Sequence, residues 1–386
     1  MTLRLFDSTT ASIDNPAKTC YLPILMNTVS LEAMLKEQKQ PAFRLKQAKQ
    51  AYFKDLADSW EGLSTWPKAL RESVAKEIAW DEMSCEMIQE SAQGDTVKFL
   101  FHAQDQSLIE MVIMRHDDGR NTVCLSCQVG CAMGCTFCAT GTMSFGRNLT
   151  AEEMVNQVIH AARWLRVHGE AKVTNIVYMG MGEPMHNYNE VMRSIHLLNH
   201  PEGFGLGARH ISISTCGVVP GILKLANEPE QVNLAISLHA PDNETRSKIM
   251  PVNKAYPVEK LMDAVRTYAR KTNRKVMFEY LMLKDINDTR EQAELLADIL
   301  SQGDKHLYHV NVIAYHDTGA FEGTRKEGRM QFVKWLKERG VSVTHRRTFG
   351  EDIDAACGQL AVKEEGDERK RGKEAAESYR KTKSQK

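Results

Sequence analysis

The chain has 386 residues, of which 42% are hydrophobic and 26% are charged; this excludes a disordered chain and a fibrous repeat and suits two or three domains. Its 50 basic and 50 acidic side chains cancel, so a site for a polyanion has to be a local basic patch. The sequence contains no apolar run long enough to span a membrane, and its first 20 residues lack a signal-peptide core. We therefore expect a cytoplasmic protein without a membrane segment.

The first third of the sequence predicts a leader, a helical domain and a pair of hairpins. Residues 1–25 carry turn formers without periodicity, so we expect a loose leader. Apolar residues then recur at helical spacing, with breaks at Pro41 and Pro67, which predicts a helical domain over residues 26–84. The strand-like runs TVKFLFHA and SLIEMVIMRH, bounded by polar turns, predict a β-hairpin connector over residues 85–120.

Strands and helices alternate from residue 121 to about residue 348, which predicts an α/β fold with a parallel sheet. Thr150, with Glu153 three residues later, is a capping box that begins one of these helices. The pattern fits an open or full barrel of six or seven units, and a doubly wound sheet is the alternative. The segment after residue 360 is rich in charge, and we expect a solvated tail over 361–386. The predicted strands are TVCLSC, VTNIVYMG, HISIST, VNLAISLHA, KVMFEYLML, LYHVNVIAY and VSVTHRRT.

The cysteines are unevenly distributed. Five of the nine fall between residues 124 and 138, and three of these form a CxxxCxxC motif after the first parallel strand. Three thiolates would bind a four-iron four-sulfur cluster and leave one iron open for a substrate. A zinc site completed by Cys127 or a histidine is the alternative, although the second ligand pair typical of zinc sites is absent. The three motif cysteines are Cys131, Cys135 and Cys138.

Two stretches resemble the radical S-adenosylmethionine (SAM) superfamily. The motif of that superfamily has an aromatic residue before its last cysteine, and Phe137 occupies that place. The stretch Gly180-Met181-Gly182-Glu183-Pro184 follows the second parallel strand and is similar to the superfamily's glycine-containing segment that contacts the methionine amino group. The resemblance implies a [4Fe-4S] cluster and SAM as cofactors.

Seven ordered motifs narrow the resemblance to the RlmN/Cfr adenosine methyltransferases, which methylate carbon 2 or carbon 8 of adenosine in large-subunit ribosomal RNA. The resemblance implies a partial (β/α)6-type radical SAM barrel over residues 121–348, a small N-terminal RNA-binding helical domain and a catalytic cysteine loop over 349–360. The motifs are NTVCLSCQVGCAMGCTFCATG, RNLT, MGMGEP, ISTCGVVP, AISLHAP, MPVNKAY and DIDAACGQL.

The resemblance also implies three catalytic residues. Cys357 would carry the methyl group, and Cys124 would resolve the protein–RNA adduct and leave a transient disulfide. Glu110, in the hairpin before the motif, would accept the proton of the adenosine carbon. A buried core cysteine, a packing cysteine and an exposed strand residue are the alternatives for Cys357, Cys124 and Glu110 respectively. Cys20, Cys85 and Cys216 are interpreted as structural.

Further residues are implied as contacts of SAM, with two departures from the family pattern. His316 stands where the family often has an asparagine, and Cys127 stands at a place that is commonly hydroxylated. The implied contacts are Gly182 and Glu183 for the amino group, Ser214 for the carboxylate, Ser237, Leu238 and His239 for the ribose and adenine, and His316.

The implied partner is 23S ribosomal RNA, with transfer RNA as a further substrate and flavodoxin or ferredoxin as the electron donor. We expect a monomer. Carbon 8 methylation, a radical enzyme acting on a small molecule and a zinc-bearing RNA-binding module are the alternatives. Local basic patches would contact the RNA, and the candidates are Arg44, Lys46, Lys49, Arg346, Arg347 and the basic residues of the tail.

Overall fold

The computed structural model describes residues 28–361. The expected leader over 1–25 lies outside the described residues, as does the expected tail apart from residue 361. Within the described range, no helix is both long enough and apolar enough to cross a membrane.

The described chain begins with a helical region packed around tryptophan rings. The centroids of the Trp60 and Trp80 rings are 4.7 Å apart, and Trp66 lies 5.7 Å from Trp60. Such large aromatic side chains supply most of the apolar area that a small helical core can bury. A π-helical turn, Gln50–Lys54, extends the second helix. The helices, found where the periodicity predicts them, are α1 Thr28–Glu37, α2 Phe43–Lys49 and α3 Lys68–Glu77.

The rest of the described chain alternates strands and helices. Ten of the strands form one sheet, and two short strands, β5 and β6, form a separate ribbon. The strands are β1 Met83–Glu90, β2 Thr96–Ala103, β3 Leu108–Arg115, β4 Asn121–Cys124, β5 Gln128–Val129, β6 Arg147–Asn148, β7 Asn175–Tyr178, β8 Ile211–Thr215, β9 Asn233–Ser237, β10 Val276–Met282, β11 Tyr308–Ala314 and β12 Val343–His345. The remaining α-helices are α4 Ala139–Thr142, α5 Ala151–Val167, α6 Tyr188–Asn199, α7 Val219–Leu225, α8 Asn243–Ile249, α9 Val258–Thr272, α10 Arg290–Ser301 and α11 Lys326–Glu338.

The strand order confirms a partial barrel. Strands β1 to β4 pair antiparallel in sequence order, and β4 then begins a parallel series with β7 to β12, also in sequence order. A doubly wound sheet reverses its strand order at a switch point, and this sheet has no reversal among the described residues. Strands β1 and β12 are the two edges and do not pair with each other, so the sheet is open.

Strand β1 is a departure from the sequence analysis, which placed residues up to 84 in the helical domain. The strand begins at Met83 and pairs antiparallel with β2, with an irregular register between Cys85 and Met87. It is an edge strand with polar residues at several positions. Polar residues and a bulge interrupt the strict alternation by which a strand is recognised in a sequence.

Helix α5 begins at the predicted capping box. The Thr150 side chain accepts the Glu153 N–H at 3.2 Å, and the Glu153 carboxylate accepts the Thr150 N–H at 2.9 Å. These bonds satisfy two amide groups that have no partner within the helix. Polar contacts also join α5 to the helical region, since Asn156 donates to the Tyr52 hydroxyl at 2.9 Å and Arg163 pairs with Asp81 at 2.6 Å.

The segment after β12 folds back over the first strands. It packs as a small apolar cluster against β3, β4 and the loop after β7, on the face opposite the main core. This cluster places Cys357 beside the carboxyl ends of the parallel strands, where barrels of this kind carry their chemistry. Its buried members are Val112, Met114, Cys124, Met181, Phe349, Ala355 and Leu360.

Candidate active site

The loop after β4 carries Cys131, Cys135 and Cys138 into one cavity, here called the cluster cavity. The cavity opens at the carboxyl ends of the parallel strands, because residues at or near the ends of β7 to β11 line it. Backbone bonds hold the loop: the Thr136 N–H donates to the Ile249 carbonyl at 3.0 Å, and the Cys138 N–H donates to the Cys135 carbonyl at 3.2 Å.

The three thiols have the chemistry of a metal cluster's ligands. Burial raises the pKa of Cys131 to about 11 and also raises the pKa of Cys135 and of Cys138. A bound cation reverses this effect, because a coordinated thiol is deprotonated. Among the described residues, no three His, Cys, Asp or Glu side chains converge closely enough to bind a single metal ion. Three thiols that face one cavity could act as ligands of a four-iron cluster, in which each thiolate would bind a different iron.

Glu183 connects three segments at the wall of the cluster cavity. Its Oε1 accepts the Met185 N–H at 2.9 Å, its Oε2 accepts the Cys216 N–H at 2.8 Å, and its own N–H donates to Gln128 at 2.8 Å. Gly182, which precedes it, has a φ of 102° and lies against the Gln128 side chain. A buried carboxylate held in this way can bind the ammonium group of a ligand by a charge-assisted hydrogen bond.

Two serines face the same cavity from neighbouring strands. Ser214 near the end of β8 and Ser237 at the end of β9 both line it, and their hydroxyl oxygens are 3.3 Å apart. The strands pair in parallel, so their carboxyl ends bring these hydroxyls to one edge. Hydroxyl groups both donate and accept, and the pair can therefore bind a carboxylate or a ribose.

His239 is a neutral imidazole in the cavity wall. Burial lowers its pKa to about 3, and Arg246 adds to the decrease. Its Nδ1 accepts the Leu281 N–H at 3.1 Å, so the ring proton is on Nε2. The Phe137 ring packs edge-on at 4.9 Å. Leu238, by contrast, is fully buried in the core and does not line the cavity.

A second cavity adjoins the first and is here called the transfer cavity. It is lined by Cys124 from the end of β4 and by Cys357. Cys357 and Cys138 line both cavities, so the two spaces meet at these residues. Burial first, and then the neighbouring Cys357, raise the pKa of Cys124 to about 12. The eight cysteines within the described range are all free thiols.

The loop that carries Cys357 is anchored on α4. The Ala139 N–H donates to the Gly358 carbonyl at 2.7 Å, and the Thr140 hydroxyl donates to the Leu360 carbonyl at 2.5 Å. The loop turns through left-handed backbone conformations at Gly350 and Gly358, which glycine adopts at no steric cost. Cys357 itself is exposed and therefore accessible to a reagent from either cavity.

Arg346 lies between the two cavities and lines both. Its Nη1 is 3.4 Å from Glu279 and 3.7 Å from the Met179 sulfur. The neighbouring Cys357 is the largest influence that raises the Arg346 pKa. The sequence analysis assigned Arg346 to RNA binding. Its position just after β12, at the carboxyl end of the barrel, is the signal that could have predicted a place in the site. The sequence analysis also did not predict that Cys216, Met179 and Glu279 line the cluster cavity.

Glu110 lies beneath the Cys357 loop, outside the lining of either cavity. Its carboxyl is 3.4 Å from the Lys98 ammonium, and both side chains are buried. Burial raises the pKa of Glu110, and Lys98 opposes the increase. Glu110 shares a face of the sheet with Val112, which lies opposite Cys124. The carboxyl therefore belongs to the same side of the sheet as the transfer cavity.

The other residues that the sequence analysis predicted lie at several different places in the fold. His316 lines the transfer cavity instead of the cluster cavity, and its Nδ1 is 3.3 Å from Glu351. Arg347 also lines the transfer cavity, and it pairs with Asp117 at 2.6 Å and with Asp95 at 2.9 Å. In the helical region, Arg44 donates to the Thr65 carbonyl at 2.8 Å, Lys49 lies 3.6 Å from Glu202, and Lys46 is exposed.

Comparisons with known proteins point to one family. The family model of the Radical SAM superfamily matches residues 125–299. A protein of Listeria monocytogenes named "Probable dual-specificity RNA methyltransferase RlmN" is 42% identical over 339 residues, covering 87% of this chain and 92% of its own length. A protein of the same name from Halalkalibacterium halodurans is 45% identical over 340 residues, covering 88% and 92%.

A solved structure extends the similarity to the fold. The crystal structure of a radical SAM methyltransferase from Sphaerobacter thermophilus matches with a TM-score of 0.82 and 43% identity, over 86% of this chain and 96% of that one. Identity at this level over nearly the whole of both chains is far above what a shared fold alone would produce. The chain therefore belongs to the RlmN family of radical SAM RNA methyltransferases.

Proposed function

We propose that this enzyme methylates an aromatic carbon of adenosine through a methyl group carried on Cys357. The proposed substrate is carbon 2 of an adenosine in 23S ribosomal RNA, with transfer RNA as a second substrate. The observation that carries the proposal is the position of Cys357, which lines both the cavity of the three motif cysteines and the cavity of Cys124. The relatives named as dual-specificity enzymes support two RNA substrates.

The target carbons of adenosine explain why two cysteines and a cluster are needed. Carbons 2 and 8 are electron-poor and have no lone pair with which to attack the methyl group of a sulfonium ion. A polar transfer directly from SAM therefore fails, and a carbon radical has to add to the base. The cysteine-bound methyl group supplies that carbon.

Cys131, Cys135 and Cys138 would hold a [4Fe-4S] cluster, and the walls of the cluster cavity would hold SAM. The bound cluster supplies the electron that cleaves SAM and so generates a radical. Glu183 would bind the amino group, and Ser214 would bind the carboxylate. Ser237 and the Nε2–H of His239 would bind the ribose and adenine side, with Leu238 acting through its backbone. The fixed hydrogen bonds of Glu183 and His239 orient SAM before it reacts.

Cys357 and Cys124 would act in turn. The Cys357 thiolate attacks the methyl carbon of one SAM: the new S–C bond forms, the sulfonium S–C bond breaks, S-adenosylhomocysteine leaves, and Cys357 becomes a thioether. A radical derived from a second SAM would take a hydrogen atom from this methyl group, and the resulting carbon radical would add to adenosine. Glu110 would accept the proton from the reacting carbon, and the adduct would return one electron to the bound cluster. Cys124 then attacks the Cys357 sulfur: the S–S bond forms, the C–S bond breaks, the released carbon takes up a proton to become the new methyl group, and the methylated base leaves. The transient disulfide has to be reduced before the next turnover.

The remaining proposals concern the recognition of RNA and the supply of electrons to the cluster. Arg44, Lys46 and Lys49 of the helical region would contact RNA phosphates, and the target adenosine would have to be unstacked to reach Cys357. His316, in the wall of the transfer cavity, would contact the base or the Cys357 loop. Flavodoxin or ferredoxin would reduce the cluster, and the enzyme would act as a monomer.

Nucleoside mass spectrometry tests the proposed reaction. The reconstituted protein is incubated anaerobically with reductant, SAM and a transcript of 23S ribosomal RNA, and the digest is compared with 2-methyladenosine and 8-methyladenosine standards. We expect 2-methyladenosine. A product that comigrates with the 8-methyl standard would reassign the carbon, and SAM cleavage without a methylated nucleoside would remove ribosomal RNA as substrate.

Two cysteine variants test the mechanism. Cys124→Ala is expected to accumulate a covalent protein–RNA species, because the thiol that releases the product is missing. Cys357→Ala is expected to yield neither adduct nor product while still cleaving SAM. Cys85→Ala is the matched control, since Cys85 is a buried cysteine of β1 outside both cavities. Product formation by Cys357→Ala at the control's rate would refute the methyl-carrier role.

A further inference from the structure

Lys98 and Glu110 form a buried ion pair on the hairpin sheet. The Lys98 Nζ is 3.4 Å from the Glu110 Oε1, and the side chains are 8% and 3% exposed. In the register of β2 and β3, Lys98 lies opposite Val112, and Leu100 lies opposite Glu110. The two charged residues are therefore diagonal neighbours on one face of the sheet. Buried charges are costly unless they are paired, so an ion pair in this apolar face calls for a functional explanation.

The face that carries the pair is the face on which the proposed transfer takes place. Val112 separates Glu110 from Cys124 along this face, and the Cys357 loop covers it. The Lys98 ammonium also lies 3.5 Å from the Asp354 carbonyl of that loop. Lys98 thus contacts both the proposed proton acceptor and the segment that carries the methyl group.

The charged groups that act on Glu110 come from two elements. From β2, the Lys98 ammonium favours the ionised carboxylate; from the Cys357 loop, the Asp354 carboxylate opposes it. The Ala361 backbone N–H also favours the ionised form, whereas burial acts most strongly against it. Among the groups that act on Glu110 within the described range, Lys98 is the positive charge that offsets burial.

We propose that Lys98 is a positioning residue that keeps the buried Glu110 carboxylate ionised, and oriented toward the transfer cavity, until the adenosine adduct delivers its proton. This inference rests on the proposed function, in which Glu110 is the base. A protonated carboxyl cannot accept a proton, so a base in an apolar site needs a fixed positive charge beside it. The ammonium on a neighbouring strand provides this charge without entering the substrate's space.

Neutral replacements of Lys98 test the inference through the pH dependence of adduct resolution. Without the ammonium, burial shifts the titration of Glu110 to higher pH. We expect Lys98→Met to form product about tenfold more slowly near pH 7, to accumulate protein–RNA adduct there and to recover as the pH is raised, because one pH unit corresponds to a factor of ten. SAM cleavage and methylation of Cys357 should be unchanged.

Matched variants separate the charge effect from a loss of structure. Lys98→Arg should keep the wild-type pH profile, and Lys98→Gln should reproduce the shift if the Met variant fails to fold. Arg339→Met is the control, since it removes the cation of an exposed ion pair with Asp298 far from both cavities. Circular dichroism and thermal unfolding verify the fold of each variant.

The outcomes distinguish this inference from the function on which it rests. If Glu110→Gln resolves the adduct at the wild-type rate, Glu110 is not the base and that part of the proposed function fails. If Glu110→Gln accumulates adduct at every pH while Lys98→Met and Lys98→Gln keep the wild-type profile, the role of Lys98 is refuted and the proposed function stands. A shift in both neutral Lys98 variants, absent from Lys98→Arg, supports the inference.

Discussion

Replacing Gly182 by alanine should destabilise the protein through one close contact at the cluster cavity. A Cβ atom at this position would lie 2.5 Å from the Gln128 Cβ and 2.7 Å from its Cγ. The displaced Gln128 side chain would lose the 2.8 Å bond that its Oε1 accepts from the Glu183 N–H. The substitution therefore disturbs the segment proposed to bind the SAM amino group.

The expected loss of unfolding free energy in Gly182→Ala is the sum of two separate costs. The φ of 102° at Gly182 is a conformation that costs an L-residue about 1–2 kcal/mol. Forcing a methyl group into the packed contact adds about 1–3 kcal/mol. Gly340 has a φ of 74°, and no atom lies within 4 Å of the place that an alanine methyl group would take there, so Gly340→Ala carries the backbone cost alone. The two variants should differ by about 2 kcal/mol in unfolding free energy, or about 2–3 °C in Tm for a chain of 386 residues.

Thermal unfolding of the reconstituted proteins, with calorimetric titration of SAM, measures both consequences. We expect Gly182→Ala to have the lower Tm and the weaker SAM affinity, and Gly340→Ala to bind SAM like the wild type. Equal Tm values for the two variants would refute the reasoning from close approach. A lower Tm for Gly182→Ala with unchanged SAM affinity would refute the proposed contact of this segment with the cofactor.

Three further predictions follow from single residues. Thr150→Ala should cost about 1 kcal/mol of unfolding free energy, because the N-cap of α5 is lost; a midpoint in urea equal to that of the wild type would contradict this. The pKa of His239 is lowered from 6.5 to about 3, so below about pH 6.5 the unfolded state binds a proton at this residue and the folded state does not. As the pH falls below this value, His239 should therefore lower the free energy of unfolding by about 1.4 kcal/mol per pH unit. In His239→Asn, this contribution to the pH dependence of stability between about pH 6 and 5 should be absent. Arg246→Met should weaken SAM binding about tenfold, because the carbonyls of Cys216 and Leu238 lose their buried hydrogen-bond donor. The iron content of the protein should not change. Unchanged SAM affinity in titration calorimetry would show that Arg246 is not needed to hold these two loops in place.

Local patterns in the sequence were sufficient for the order of the elements and for the cysteine motif. The seven predicted parallel strands are β4 and β7 to β12, because buried parallel strands are continuous apolar runs that a linear reading detects. The capping box of Thr150 and Glu153 was also readable, since both of its hydrogen bonds join residues three apart. The motif cysteines lie within eight residues of one another, so a single loop brings them to one cavity.

The tertiary structure alone decided which distant side chains meet. Lys98 and Glu110 are paired by the register of two strands. His239 is neutral because it is buried beside Arg246, and its Nδ1 accepts the N–H of Leu281 on β10. Arg346 lines both cavities, whereas the adjacent Arg347 lines the transfer cavity but not the cluster cavity and is held in ion pairs with Asp95 and Asp117. Composition and periodicity carry no information on such contacts, because each depends on strand register and on burial. The sequence thus determined which chemical groups are present, and the packing of the sheet and of the Cys357 loop determined their charge states and their partners.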